Sequence, residues 1–406
     1  MQVFKFTGIK INRVIGSYGL KACLTAILAA NFFLACGKDK DSKPSPEPKD
    51  PLKILAEDEE LPKPSRIVTI NSLSEDFSSL SWRDAALELK GHDKLGSSSV
   101  SCQSPNQITR FEELIYVVCS LSHQIFVFSK NMVLQKVMDV GNGSNPMELV
   151  IINANLAFVT LFNTDQVLVF RPKLQLETGE QRILATINLR GLNYHNDSGE
   201  AALPKPAGLA ASNGKIFVAV ANLTANWTPA GLGQLVVIDQ KGLQVKSILS
   251  ATGYNSAKIV VETSSPLEEK MYVLNSGSWA DNGNIDVFDP KTEKLIGSAD
   301  TKGAPTRMVI DVAANRAYVG DSSKAEVMEL SLRDLNILRR VNLQENRCND
   351  FKAADFSYIS DLLLMNEYLF VSEFNSDCLL VLEKDSLKAL SATRVGDGPL
   401  AIFELE

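Results

Sequence analysis

Histidine is scarce in this chain, and the motifs of histidine-dependent catalysis are missing. Of 406 residues only three are histidines, His92, His123 and His195, and no two of them stand at metal-ligand spacing. No Gly-x-Ser-x-Gly motif occurs at a strand-to-helix turn, where the nucleophile elbow of a hydrolase requires it. We therefore interpret the three histidines as loop or strand-end residues and assign no catalytic residue.

Glycine-rich phosphate loops and complete calcium loops are also missing. The run G-N-G-S-N from Gly141 is not followed by a helical pattern, so it is interpreted as a turn between strands. The run D-N-G-N-I-D from Asp281 has its glycine at the wrong position for a calcium loop and continues into a strand. The sequence predicts neither a cofactor nor a bound metal.

An excess of positive charge is the third absence. The chain has 41 Lys and Arg against 48 Asp and Glu, which gives a net charge of -7. Phosphate backbones repel an acidic protein, which argues against nucleic acid as a partner.

What the chain does contain is a repeat. An aromatic residue stands directly before a valine inside six apolar runs, at spacings of 42, 59, 55, 46 and 52 residues. The six pairs are Tyr116-Val117, Phe158-Val159, Phe217-Val218, Tyr272-Val273, Tyr318-Val319 and Phe370-Val371. A recurrence at this period is typical of a β-propeller, in which each repeat forms one four-stranded blade.

The clearest copy of the repeat spans one whole blade. It contains K-M-Y-V-L-N-S-G-S from Lys270, N-I-D-V-F-D-P-K-T from Asn284, K-L-I-G-S-A-D from Lys294 and G-A-P-T-R-M-V-I-D from Gly303. The first three runs are predicted strands separated by turn residues, and Gly303 and Pro305 mark the crossing to the next blade. A β-sandwich also alternates short strands and turns. The in-register recurrence of the whole unit favours the propeller.

The run Y-V-L-N-S-G-S…I-D-V-F-D-P-K-T-E-K-L-I-G-S…G-A-P resembles the YVTN-repeat β-propellers. The resemblance covers about four fifths of the chain. It departs from the motif at Leu274 and Gly320, and in insertions at 177–203 and 223–233. The resemblance implies a closed ring of seven blades, and it implies no shared catalytic residue.

The blade count follows from the starts of the innermost strands. These starts are expected near Asn106, Asn145, Pro206, Ala257, Thr306, Tyr358 and Pro399. The C-terminal sequence supplies only one strand of the seventh blade. The runs R-I-V-T-I-N from Arg66 and W-R-D-A-A-L-E-L-K from Trp82 are therefore predicted to complete that blade. Only two strands are evident in residues 65–101, and six blades remain the alternative.

The N-terminus has the pattern of a signal peptide. Four basic residues precede an apolar stretch from Ala22 to Ala35, which is too short to span a membrane, and no acidic residue occurs in the first 35. The end of the stretch, F-F-L-A-C-G, resembles the lipobox of bacterial lipoproteins, which implies lipid attachment at Cys36. The alternatives are an ordinary buried thiol at Cys36 or an anchor that is never cleaved.

The chain is therefore expected to have three parts. Residues 1–35 are a signal peptide, residues 36–64 are a lipidated and disordered tether rich in proline and charge, and residues 65–406 are the propeller. Loss of the leader leaves 37 Lys and Arg against 48 Asp and Glu, a net charge of -11. By analogy with lipoprotein sorting in enteric bacteria, Gly37 after the cysteine, where no Asp stands, favours the outer membrane, with the propeller facing the periplasm or the cell surface.

Four cysteines lie in the predicted propeller, and the repeat register indicates their pairing. Cys102 and Cys119 belong to the first complete blade, and Cys348 and Cys378 occupy equivalent places in the sixth. An oxidising envelope permits disulfides, so the pairs Cys102–Cys119 and Cys348–Cys378 are expected. Four buried free thiols are the alternative.

The two insertions are predicted to mark the interaction surface. Loops after second strands and loops between blades lie on the same face of a propeller, so Tyr194 from one insertion and Asn226 and Trp227 from the other are candidate binding residues. The alternative is that Trp227 only packs under its own loop. The sequence favours a non-enzymatic envelope protein that binds a protein or glycan; the second reading is a metal-dependent lactonase or hydrolase with its site in the central funnel.

Overall fold

The computed structural model describes residues 65–83, 86–97, 99–262, 269–278, 281–346, 348 and 358–405. Contacts within the chain separate Met1–Leu61 from Pro62–Glu406, and all described residues belong to the second unit. The predicted signal peptide, Cys36 and the predicted tether lie outside the described residues. No helix in the described part of the chain has the length and apolar character needed to cross a membrane.

The described strands form seven four-stranded antiparallel sheets, each of them one blade. The N-terminal strands are β1 (Ser65–Asn71), β2 (Asp76–Arg83) and β3 (Ala86–Lys94). The first blade contains β4 (Pro105–Phe111), β5 (Leu114–Cys119), β6 (Gln124–Ser129) and β7 (Leu134–Asp139). The second contains β8 (Pro146–Asn153), β9 (Leu156–Leu161), β10 (Gln166–Phe170) and β11 (Ile183–Asn188). The third contains β12 (Pro206–Ser212), β13 (Lys215–Val220), β14 (Gln234–Asp239) and β15 (Val245–Ser250).

The remaining strands continue the same order. The fourth blade contains β16 (Ser256–Glu262), β17 (Lys270–Asn275), β18 (Asn284–Asp289) and β19 (Lys294–Asp300). The fifth contains β20 (Pro305–Asp311), β21 (Arg316–Asp321), β22 (Glu326–Ser331) and β23 (Ile337–Asn342), followed by a 3₁₀ turn at Gln344–Asn346. The sixth contains β24 (Ile359–Met365), β25 (Tyr368–Glu373), β26 (Cys378–Glu383) and β27 (Ala389–Arg394), and the last strand is β28 (Pro399–Leu405).

Both ends of the propeller sequence build the seventh blade. Its strand order is β28, β1, β2, β3, and β28 pairs antiparallel with β1. The prediction of seven blades closed by both termini is confirmed, and the alternative of six is wrong. The N-terminal part supplies three strands instead of the two evident in the sequence. The middle strand, D-F-S-S-L-S-W-R, was missed because it has no β-branched residue and four of its eight positions are Ser or Asp.

The aromatic-valine pairs all lie in second strands, and they explain how the blades adhere. In β5 the ring of Tyr116 packs toward the second blade, whereas Val117 packs toward the seventh, because successive side chains point to opposite faces. The same alternation recurs around the ring, and each of the seven apolar clusters joins two neighbouring blades. In the seventh blade Val68-Thr69 stands at the position of the aromatic-valine pair, and Val68 packs toward the first blade as the aromatic rings pack toward their next blades.

Both predicted disulfides are present. Cys102 bonds to Cys119 with a Cα–Cα distance of 5.2 Å, and Cys348 bonds to Cys378 with a distance of 5.5 Å. Each bridge joins the segment before an innermost strand to the same blade, either at the end of the second strand or at the start of the third.

Candidate functional site

One face of the ring, here called the upper face, carries the crossings between blades and the loops from second to third strands. Hydrogen bonds connect these two kinds of segment in the first blade, where Ser120 N donates to Ser104 O at 3.0 Å, and in the second, where Phe162 N donates to Asn145 O at 3.0 Å. The upper face is therefore where loop side chains can meet a partner without disturbing the strands.

The two long insertions meet on the upper face between the second and third blades. The side-chain amide of Asn222 donates to His195 O at 2.7 Å, and the backbone amide of Asp197 donates to Ala230 O at 2.8 Å. Leu203 and Leu223 exchange both of their backbone hydrogen bonds. The prediction that both insertions crowd one sector is confirmed.

Trp227 lies at the top of this sector and is 36% exposed. Its ring stacks on Phe162, with 5.8 Å between centroids and 14° between planes. The ammonium of Lys205 lies 5.4 Å from the Trp227 centroid and 5.5 Å from that of Phe162, within the range of cation–π attraction. We call Phe162, Lys205 and Trp227 the aromatic platform.

Two residues of the platform have a positive φ angle. Trp227 has φ +65°, in the left-handed region that bulky residues rarely occupy. Lys205 has φ +53° and stands directly before β12; the corresponding residues before β4, β8 and β16 are Ser104, Asn145 and Asn255, all with positive φ. A lysine where three other blades have Ser or Asn is the sequence signal that would have identified Lys205.

A buried carboxylate holds the platform from below. Asp165 is fully buried and accepts a hydrogen bond from Arg190 Nε at 2.7 Å and from the backbone amide of Lys205 at 3.1 Å. The ammonium of Lys205 lies 3.9 Å from the same carboxylate. Burial lowers the pKa of Lys205, and the charge of Asp165 opposes that shift. Asp165 thereby holds two cationic side chains in place. Lys205 lies beneath the rings, and Arg190 lies at the exposed edge of the platform.

The other two predicted binding residues differ in exposure. Asn226 is exposed at the tip of the loop, beside Trp227. Tyr194 is partly buried, and its hydroxyl donates to Leu189 O at 2.9 Å. The Tyr194 ring packs into the apolar cluster between the second and third blades, and burial raises its pKa. Tyr194 therefore supports the sector from inside.

A second candidate site is the central channel. The third residue of most innermost strands lines a cavity of about 240 Å³ on the ring axis. This position holds Gln107, Glu148, Gly208, Lys258, Arg307, Asp361 and Ala401 in blade order. All seven blades have a register shift between the first and second strands just before or at this position, and bulges of this kind re-aim side chains next to functional sites.

Acceptor side chains in the channel are fixed by the next blade. Gln107 Oε1 accepts from Leu149 N at 2.7 Å, Glu148 Oε2 from Leu209 N at 3.2 Å, and Asp361 Oδ2 from Ile402 N at 2.9 Å. In each case the donor is the residue that follows the channel position in the neighbouring blade. The carboxylates are therefore held in place by backbone amides before any ligand enters.

The channel charges form two ion pairs. Lys258 Nζ contacts Glu148 Oε1, and Arg307 Nε lies 3.7 Å from Asp361 Oδ1. Lys258 reaches past Gly208, where an added Cβ would lie 2.8 Å from the Lys258 Cα, so only glycine allows this approach of the third and fourth blades. The pKa of Asp361 is raised because burial outweighs the positive charge of Arg307, which lowers it. The pKa of Arg307 is raised: burial lowers it, but the neighbouring Tyr358, Asp361 and Glu148 outweigh burial.

The channel does not fit a divalent metal. Both of its carboxylates already face a cationic side chain, whereas a metal site requires several free oxygen or nitrogen ligands. Among the described residues no group of three or more His, Cys, Asp or Glu is placed to hold a metal ion.

The histidines are far apart in the fold. His123 Nδ1 accepts from Asn145 N at 3.3 Å, and His195 Nδ1 lies 3.4 Å from Asp197 Oδ2 in an exposed loop. His92 Nδ1 lies 2.9 Å from the hydroxyl of Ser78, which resembles a nucleophile and base. However, Ser78 is fully buried and also bonds Asn71 and the amide of Gly396.

The fourth blade shows what the Ser78 network does. There Asp286 accepts from Asn275 at 2.9 Å and from the amide of Thr252 at 2.6 Å, at the positions equivalent to Ser78, Asn71 and Gly396. The network recurs as a polar tie between a blade and the preceding crossing, so its role at Ser78 is structural.

Comparison with known proteins gives the fold alone. No protein-family model matches the chain, and no curated protein matches its sequence. A putative 6-phosphogluconolactonase from Bacteroides fragilis superposes with a TM-score of 0.61 at 11% identity, covering 86% of this chain and 99% of the other. AztD from Citrobacter koseri gives 0.54 at 12% identity, covering 84% and 97%. The dihydro-heme d1 dehydrogenase NirN, in complex with DHE, gives 0.53 at 14% identity, covering 83% and 74%. At these identities the chain is similar to them in its seven-bladed propeller.

Proposed function

We propose that the protein is a non-enzymatic binding module of the cell envelope, which holds a protein or glycan partner on the aromatic platform. The observation that carries this proposal is the exposed Trp227, stacked on Phe162 over a lysine and held with φ +65°. Strained backbone persists only where surrounding structure enforces it, and such sites cluster where ligands bind. Trp and Arg are also the residues most enriched at binding hot spots, and Arg190 lies at the edge of the platform, more than half exposed.

The second part of the proposal is a lipid anchor. We infer that the mature chain begins at Cys36, that lipid on this cysteine holds the protein in the outer membrane, and that residues 37–64 tether the propeller. Two disulfides support an oxidising compartment, because such bonds are rare in the cytosol. We further propose that the propeller is a divergent YVTN-repeat ring, since its aromatic-valine pairs all fall in second strands.

The platform is tested by Trp227→Ala. We expect the variant to lose at least about 2 kcal/mol of binding free energy, roughly a thirtyfold rise in Kd, as truncation of a central aromatic anchor does. The measurement is capture of the partner from envelope fractions by a photoreactive group at Asn226, followed by titration of the captured protein or glycan. Leu338→Ala is the matched control, because Leu338 is 51% exposed on the outermost strand of the fifth blade.

Two results contradict the proposal. One is equal capture by the Trp227→Ala and Leu338→Ala variants. The other is a large loss of thermal stability in the Trp227→Ala variant, which would mean that the ring mainly supports its own loop.

The anchor is tested by Cys36→Ala. We expect the variant to be released from membranes or to accumulate as an unprocessed precursor, because each buried CH₂ of a lipid contributes about 0.8 kcal/mol to anchoring. Membrane fractionation and the mass of the N-terminal peptide measure this outcome. A variant that is still cleaved before position 36 and still membrane-bound would refute lipid attachment.

A further inference from the structure

The central channel combines charges of both signs in a confined space. Counting only the channel position of each blade, Glu148 and Asp361 are balanced by Lys258 and Arg307, so the ring is neutral as a whole. The two cations stand on adjacent blades, the fourth and fifth, and are flanked by the two carboxylates on the second and sixth. The ring is therefore dipolar around its axis.

Among the charged side chains of the channel, the hydrogen-bond donors have fewer partners than the acceptors. Both carboxylates accept from a backbone amide and face a cation. Within the described part of the chain, the Lys258 ammonium contacts the side chain of Glu148. Arg307 donates through one Nη to Thr306 O at 2.9 Å, and its 3.7 Å approach to Asp361 is longer than a hydrogen bond. Spare donors on these two cations can bind an acceptor group placed in the cavity.

The size and neutrality of the ring limit the ligand. At ~30 Å³ per water, 240 Å³ holds about eight waters, so the ligand is small. A simple anion or a simple cation would leave one unbalanced charge in a partly desolvated cavity, which is costly. A ligand with one charge of each sign preserves the balance.

We propose that the central channel binds a small zwitterion, with a carboxylate and an ammonium joined by a few carbon atoms, as in an amino acid. Its carboxylate accepts hydrogen bonds from Arg307 and Lys258, and its ammonium lies against Asp361. Met147 and Leu400 also line the cavity and can contact the carbon chain.

The test is calorimetric titration of the intact protein with glycine, β-alanine and 4-aminobutanoate, and with acetate and methylammonium as the two halves of the ligand. We expect at least one zwitterion to bind about tenfold more tightly than either half. Absence of binding by all three zwitterions at about 10 mM, or equal binding of acetate, overturns the proposal.

Variants at two channel residues, with one surface control, distinguish binding in the channel from a general effect of protein charge. Arg307→Gln is expected to lose zwitterion binding, whereas Arg333→Gln, an exposed arginine of the same blade, retains it. Asp361→Asn keeps an oxygen for the Ile402 amide but gives the ring a net positive charge. It should weaken zwitterion binding and strengthen acetate binding relative to wild type. If Asp361→Asn changes both ligands in the same direction, or Arg333→Gln matches Arg307→Gln, the proposed pose is wrong.

Discussion

Two of the three tyrosines in the repeat show how a single side chain can join two blades. The hydroxyl of Tyr116 donates to Pro172 O of the second blade at 3.2 Å, and that of Tyr318 donates to Lys384 O of the sixth blade at 3.2 Å. Burial raises the pKa of both tyrosines to about 12, so both stay protonated donors at physiological pH. Where the repeat has Phe158, Phe217 or Phe370, the packing is kept and the hydrogen bond is absent.

One carboxylate of the upper face opposes folding at neutral pH. Burial raises the pKa of Asp397, and the nearby carboxylate of Asp377 raises it further, while Arg394 lowers it. A raised pKa in the folded state means that stability is complete below the unfolded pKa and is lost as pH rises through the folded value. At neutral pH the ionised Asp397 therefore destabilises the fold slightly.

We predict that Asp397→Asn raises the Tm at pH 7 and that the difference from wild type disappears below about pH 4. The gain is small because Asp397 is only partly buried, so solvent screens its charge. Thermal melts from pH 3 to 8 measure it, with Asp93→Asn on the outermost strand of the seventh blade as control. A gain that persists at low pH would show that charge is not the cause.

Among the strands, β28 has the most demanding role. It pairs with β1 and supplies Ala401 and Leu405 to the cluster shared with the first blade, and Ile402 to the cluster shared with the sixth. Without β28, β1 would become an open edge and two apolar clusters would be uncovered. The outermost strands β23 and β27, by contrast, alternate exposed and partly buried residues and face solvent.

We predict that Ile402→Ala lowers the free energy of unfolding by about 2–5 kcal/mol, as large-to-small substitutions in a core do. Denaturant unfolding measures the loss, and Glu404→Ala in the same strand is the control, with its side chain outside both clusters. A truncation after Gly398 should aggregate or lose cooperative unfolding. A truncated protein that remains monomeric with an unchanged Tm would contradict closure by β28.

Across the whole molecule, the two disulfides lie in the first and sixth blades, on either side of the blade that closes the ring. Cys102, Cys119 and Cys378 are fully buried, and the bridges close loops of 17 and 30 residues. By restricting the unfolded chain, each bridge is expected to contribute about 3 kcal/mol.

We therefore predict that the pair of changes Cys102→Ala and Cys119→Ala lowers the free energy of unfolding by about 3 kcal/mol, and that the same changes at Cys348 and Cys378 do so by a similar amount. Non-reduced peptide mapping of the wild type should return only these two linked peptides. Free thiols at all four positions, or a peptide linking Cys119 to Cys378, would overturn both the pairing and its energetic effect.

The sequence alone determined the features that follow from strand register. The period of the aromatic-valine pairs predicted the propeller, the starts of the innermost strands predicted seven blades, and equivalent register positions predicted both disulfides. These predictions succeeded because each depends on the alternation of side chains within one blade, which is a local property of the chain. The strand β2 was missed because its serines lack that apolar signal.

Only the tertiary structure decided which residues meet across blades. Phe162, Lys205 and Trp227 come from three separate loops, and the charged groups of the channel come from four blades. The alternation of side chains along a strand predicts which face of the blade each side chain lies on. It does not predict which residue of the next blade that side chain contacts, or which side chains point toward the ring axis. Those relations depend on closure of the ring, which brings residues about 50 positions apart to the same height around one centre.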